Sequence, residues 1–278
     1  MEVVKGFIGF YLVTGEPYLG TSYGTIALLW DTTGNLAMYL VIIYQIDNKL
    51  DHRNSVLYFG GTLVTSLCCL LVGGVTGNHG SNLYESSFLN IPYVIVPTYY
   101  LLDAFCQPRK FPKSLPSKET SDYKMLDIVL CVGLLLSCIF GLVRGIAALG
   151  SPMPLAAMYR AEYEPYLLDP SKFGVVWILF LMGVGGMLQV SIAFGLWRSG
   201  SRWVMDLSII YAAVVIHGTF THLIPQFCVG VSPEYHIPPE SMLWVVAGNL
   251  FVPVVAVAVV MRCFAEPGYF KPSNQKLE

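Results

Sequence analysis

Charge is what this sequence has least of. Its 278 residues include 16 Lys or Arg and 18 Asp or Glu, 12% in all, for a net charge of −2. Soluble domains carry about a quarter charged residues, so this chain has too few to cover a water-facing surface, and its near-neutral balance gives no electrostatic case for nucleic acid. Zinc-ligand spacing is missing as well. The seven cysteines, at 68, 69, 106, 131, 138, 228 and 263, sit within apolar runs or at their edges, which argues against a disulfide framework. Met1 to Leu12 has no basic start leading into a clean apolar core, so no cleavable signal peptide is read there. What is abundant is apolar: 55% of residues, with a mean hydropathy of +0.60. That excludes intrinsic disorder and indicates an all-α, polytopic membrane protein.

A helix needs about 20 mostly apolar residues to cross the hydrocarbon core. Seven stretches qualify, at approximately 24–46, 55–75, 86–106, 126–149, 173–197, 203–225 and 241–264. Lys and Arg alternate between the connections. Twelve fall on one set of faces (Lys49, Arg53, Arg109, Lys110, Lys113, Lys118, Lys124, Arg198, Arg202, Arg262, Lys271, Lys276) and three on the other (Lys5, Arg160, Lys172). By the positive-inside rule the N-terminus is lumenal and the C-terminus cytosolic.

The chain also repeats itself. Glu16-Pro17-Tyr18-Leu19 precedes the first span and Glu164-Pro165-Tyr166-Leu167 the fifth, 148 residues later. Asn90 is followed by Pro108 and Phe111, and Asn249 by Pro267 and Phe270, with the same internal spacing. Both motifs keep their side of the membrane in both copies, so the duplication is parallel. The boundaries read as a first unit over 1–111, a basic linker over 112–124, a second unit over 125–264 and a cytosolic tail over 265–278. The second unit begins with a helix that the first lacks, unless Val3 to Val13 is its stub.

The stretch GFYLVTGEPYLGTSYGTIALLWDTTGNLAMYLV resembles the transmembrane 6 superfamily, as do FLNIPYVIVP, the Phe140-to-Gly145 segment FGLVRG, YEPYLLDP, and His222 followed by Pro239-Glu240. The resemblance covers nearly the whole chain. It implies tandem EXPERA domains, the four-helix unit shared with the emopamil-binding sterol isomerase and the sigma-2 receptor. It also implies an endoplasmic reticulum protein that handles sterol or neutral lipid, acts on triglyceride, lipoprotein or droplet loading, and works beside other lipid-metabolism proteins.

Ionisable and amide side chains within spans mark function by default. Asp31 and Asn35 are four apart, on one helical face. Asp31 looks like the acidic position of the isomerase, where a carboxyl moves a proton to and from a ring carbon. Asn90, seven residues before Pro97, is similar to the isomerase's cavity asparagine, and Asn249 is its looser second-copy counterpart. His222 matches a family histidine. These five form the expected lipid-binding set, set against a purely structural reading as interhelical hydrogen-bonding groups. Opposite Asp31 the second unit is apolar, near Leu179 or Phe180, and the isomerase's first-helix His and Glu are absent. A proton relay needs a donor and an acceptor, so the expectation is a lipid-handling protein without intact isomerase chemistry. The alternatives are an isomerase-like enzyme using Asp31, and a transporter or receptor prompted by the span count. Arg144, the single in-span cation, is expected in a structural ion pair with Asp127, with Glu162 or a lipid headgroup as the other partners weighed. His217 and His222, five apart, are wrongly spaced for two ligands on one face, and neither a metal nor a cofactor is expected.

Overall fold

A computed structural model describes residues 7–82, 85–228 and 230–272; parts of the N-terminal stub and of the tail, 1–6 and 273–278, lie outside the described residues. Every regular element among the described residues is helical. A short helix α1 (Phe7–Thr14) and a 3-10 turn (Pro17–Gly20) lead into α2 (Ser22–Asp47). Then come α3 (Arg53–Thr76), α4 (Asn90–Cys106), α5 (Lys124–Ala148), α6 (Phe173–Leu196), α7 (Trp203–Phe227) and α8 (Met242–Ala265).

Six of these, all but α1 and α4, are 24 to 26 residues long and apolar enough to span a bilayer. At 1.5 Å per residue each is about 36 Å long, longer than the hydrocarbon core. The chain is a multi-pass membrane protein. Of the seven stretches expected, 86–106 is the one outside these six: Glu85–Leu89 forms a 3-10 turn and leaves α4 17 residues, about 25 Å.

Helix α7 is the most buried of the six. It packs on α3, α6 and α8, while α5 lies against α6 and α8, which gives a ring of four helices in the second half. In the first half α3 packs on α2 and α4. Among the described residues, nothing there occupies the place that α5 takes in the second half. The halves meet chiefly where α3 crosses α7, through small residues: a Cβ added at Gly61 would lie 2.9 Å from the Ala213 methyl. Without water to drive association, such close backbone approach is how membrane helices gain packing energy.

Local structure recurs along the chain. Glu16 (φ −133, ψ 76) and Glu164 (φ −129, ψ 71) share a backbone conformation, and each leads into a 3-10 turn begun by its proline. The amide of each donates to a tyrosine carbonyl five residues back, Glu16 to Tyr11 at 2.9 Å and Glu164 to Tyr159 at 3.0 Å. Farther on, α2 is interrupted by a π turn at Asp31–Asn35 and α6 by one at Leu181–Gly185, 150 residues later. The apolar counterpart of Asp31 is therefore Leu181, one residue past the positions read from sequence.

At the basic end of the bundle, ion pairs clamp the elements together. Asp206 of α7 accepts from Arg53 of α3 (Nη2, 2.8 Å) and from Arg109 just past α4 (Nη2, 2.7 Å). Asp127 of α5 accepts from Arg262 of α8 at 2.6 and 3.0 Å.

Candidate functional site

The sequence-derived polar residues divide between two places. Asp31, Asn35 and Asn90 line a cavity of about 650 Å³ bounded by α2, α3 and α4. Its other walls are apolar or aromatic, among them Leu36, Tyr39, Phe59, Leu67, Tyr93 and Val96. Tyr39, Tyr93 and Val96 are more than half exposed, so the cavity opens sideways through the face of the helices.

The polar corner is built by the π turn. Its wider winding sets Asn35 against Asp31, with Asn35 Nδ2 donating to Asp31 Oδ1 at 2.6 Å. From α3, Thr62 Oγ1 donates to Asn35 Oδ1 at 2.7 Å, which fixes the amide's orientation. Across the cavity the Asn90 amide donates to the buried Glu16 carboxylate, which also accepts from the Tyr18 hydroxyl at 2.8 Å. One Asp31 oxygen is thus engaged within its own helix, while the carboxyl and both amides border an otherwise apolar space. Such a site is suited to orienting the polar end of an apolar molecule.

His222 and Asn249 are elsewhere, in a closed knot in the second half. Arg144 grips Glu164 with both arms, Nε to Oε2 at 3.0 Å and Nη2 to Oε1 at 2.7 Å. Asn249 donates to Glu164 Oε1 at 2.9 Å and accepts from Arg144 at 3.0 Å. Arg144 Nη2 is also 3.1 Å from His222 Nε2, and because a guanidinium only donates, that nitrogen accepts. Phe140 covers the guanidinium, its ring centre 5.1 Å away. Arg144, Glu164, His222 and Asn249 are each 2% exposed or less, so the knot has no open face for a ligand. Burial by itself would raise the Glu164 carboxyl; the Arg144 guanidinium, with the Asn249 amide, overrides it and holds the group well below the ordinary carboxylate range. Burial and the Glu164 charge push the Tyr159 phenol up.

The expected pairing of Arg144 with Asp127 is corrected accordingly. The two belong to opposite ends of α5, more than four turns apart, and Asp127 is taken by Arg262. Sequence reasoning treated Glu16, Pro17, Tyr18 and Glu164, Pro165, Tyr166 only as a repeat marker. The two glutamates are in fact the buried acceptors around which both halves arrange an Asn from α4 or α8. The tyrosine five residues before each, Tyr11 and Tyr159, was the signal that could have extended the motif. Thr62, Asp206 and Arg262 carry no such signal.

Residues 1–115 match the family model described as Transmembrane 6 superfamily member 2-like, transmembrane domain. Over 273 residues the chain is 28% identical to the human protein named Transmembrane 6 superfamily member 2, covering 96% of this chain and 72% of the human one. The chain is similar to members of the transmembrane 6 superfamily. Its mouse and rat relatives of the same name are each 27% identical, again over 96% of this chain and 72% of theirs. No solved structure matches it. The family model covers the half that holds the cavity, and the knot lies beyond it.

Proposed function

We propose that this protein binds a sterol or other neutral lipid in the Asp31/Asn35/Asn90 cavity and, through it, regulates lipid metabolism at the endoplasmic reticulum membrane. The observation that carries the reading is the cavity itself: about 650 Å³, walled mostly by apolar and aromatic side chains, with Asp31, Asn35 and Asn90 as its polar lining. The sideways opening suits a ligand that arrives through the bilayer. In this reading α4 completes a seventh crossing, the Glu16 end is lumenal and the C-terminus cytosolic, which the distribution of Lys and Arg supports. The two halves act as tandem EXPERA-like units, the first binding lipid and the second closed by its ion knot. The protein acts on triglyceride, lipoprotein or droplet loading beside other proteins of lipid metabolism.

A second reading has the Asp31 carboxyl moving a proton on a bound sterol, and its placement in the cavity favours that. Against it, the described lining offers no further carboxylate, His or Lys to complete a relay. Mass spectrometry of lipid retained by the protein purified in mild detergent tests both. Wild type is expected to retain a sterol or neutral lipid, and Leu67→Trp, which fills the cavity, to lose it. Asp31→Asn is expected to retain it. Conversion of a retained sterol by wild type and not by Asp31→Asn would establish the second reading, and equal retention by wild type and Leu67→Trp would end the first.

A further inference from the structure

Glu16 and Glu164 hold the same place in the two halves but not the same company. Each is buried, and each takes an amide from an asparagine, Asn90 of α4 or Asn249 of α8. Glu164 has Arg144 of α5 as its counter-charge. Glu16 accepts from neutral donors, among them the Asn90 amide and the Tyr18 hydroxyl. No Lys, Arg or His forms an ion pair with it among the described residues. A carboxylate withdrawn from water without a cation is costly to keep.

The difference traces to one helix. Arg144 stands about one turn before the end of α5 at Ala148. Helix α1 is not the first-half counterpart of α5. By the 148-residue offset of the two Glu-Pro-Tyr-Leu stretches, Phe7–Thr14 repeats 155–162, the connection that follows α5.

The side chains that α5 covers in the second half are bare in the first. Asn90 and Asn249 set α4 and α8 in register, 159 residues apart. Val255 of α8 packs on α5, where a Cβ added at Gly133 would lie 3.2 Å from it, and Val255 is 8% exposed. Its counterpart Val96 is 51% exposed. Just past the π turn of α6, buried Gly186 faces Cys138 of α5. The residue just past the π turn of α2 is Leu36, 50% exposed. A strip of α2 and α4 beside a buried carboxylate thus lacks both the wall and the counter-charge that its repeat has. Acyl chains can cover such a strip, but they bring no charge to Glu16.

We infer that the first half docks a transmembrane helix of a partner protein between α2 and α4, in the place α5 takes in the second half. That helix carries an Arg or Lys about one turn from the end that lies beside Glu16. The cation turns a lone buried carboxylate into a hydrogen-bonded ion pair, as Arg144 does for Glu164. Leu36 and Val96 also line the cavity, so a seated helix lies across its sideways opening. The inference concerns a protein contact and does not rest on the lipid-binding reading.

The test places a photoreactive residue at Val96 or Leu36 of the full chain in phosphatidylcholine vesicles, with a synthetic peptide of residues 124–150 as the probe helix. That peptide is expected to crosslink at both positions, and its Arg144→Gln form to crosslink less by about tenfold or more. In the chain, Glu16→Gln is expected to bring the unaltered peptide down to the level of the Arg144→Gln form. Glutamine still accepts from Asn90 and Tyr18, and a monodisperse peak in detergent checks that the variant is folded. A photoreactive residue at Leu243, on the exposed side of α8, should give little peptide adduct with either form. In cell membranes without the peptide, positions 36 and 96 are expected to yield an adduct with another protein, mapped to an apolar run with Arg or Lys near one end. Equal crosslinking of the two peptides, no crosslinking of either, or no effect of Glu16→Gln overturns the charge pairing. Lipid adducts alone in cell membranes, or adducts with this chain's own peptides, overturn the partner helix.

Discussion

Glu164 is the residue on which the second half closes. A carboxylate at 0% exposure is tolerable only because a bidentate arginine and an amide engage both its oxygens. Removing one partner leaves the other charge buried alone, so Arg144→Met and Glu164→Gln should each lower stability by about 3–5 kcal/mol, while the pair replaced together by Met and Leu should lose much less. Thermal unfolding in detergent, followed by loss of the monodisperse peak, measures this. Because the folded carboxyl is held low, its contribution is fully present above the unfolded value of about 4.3 and is lost as pH falls toward the folded one. Wild-type stability should therefore drop below about pH 4 more steeply than that of the Glu164→Gln variant, and parallel curves would refute the assignment. Residue-scale reading of the sequence went furthest where partners are near in the chain. Asp31 and Asn35 share a helix and a face, which spacing reveals. Arg144 reaches Glu164 across a loop of 20 residues' separation, and a sequence gives no sign of which acid such a loop returns.

At the scale of the element, the π turns carry the most consequence. One extra residue per turn is invisible to a 3.6-residue pattern, so span boundaries could be read while the interruption at Asp31–Asn35 could not. Deleting Thr33 should restore a regular helix, removing the widened turn in which Asn35 donates to Asp31 and accepts from Thr62. The expected outcome is a protein that inserts normally and retains no lipid; retention at the wild-type level would show that the turn has no part in the site. Residues 86–106 were read as a span because apolar side chains outnumber the polar ones there, and hydropathy does not register that the stretch begins in a 3-10 turn.

For the whole molecule, the halves are joined by a seam of small residues between α3 and α7 and by the Asp206 clamp. Gly61→Leu should cost about 1–3 kcal/mol by forcing the seam apart, read as a lower unfolding temperature. Asp206→Leu, which strands Arg53 and Arg109, should cost more, and the triple change that also makes both arginines Met should recover most of the loss. If the triple variant is as unstable as Asp206→Leu, the clamp is not what joins the halves. The recurring Glu-Pro-Tyr-Leu stretch and the Asn, Pro and Phe spacing were legible in the sequence. That the copies differ in openness was not, because it depends on where α5 lies, between α6 and α8, and that is a property of packing.

The sideways opening of the cavity between α2 and α4 sets the units in which its occupancy is counted. A guest that enters from within the bilayer never becomes a solute in water, so what fills the site is the mole fraction of that lipid among its neighbours, sampled by two-dimensional diffusion. On the proposed lipid binding, diluting the whole membrane leaves occupancy unchanged, while altering the membrane's composition shifts it at once, and the site becomes a gauge of the leaflet that surrounds it.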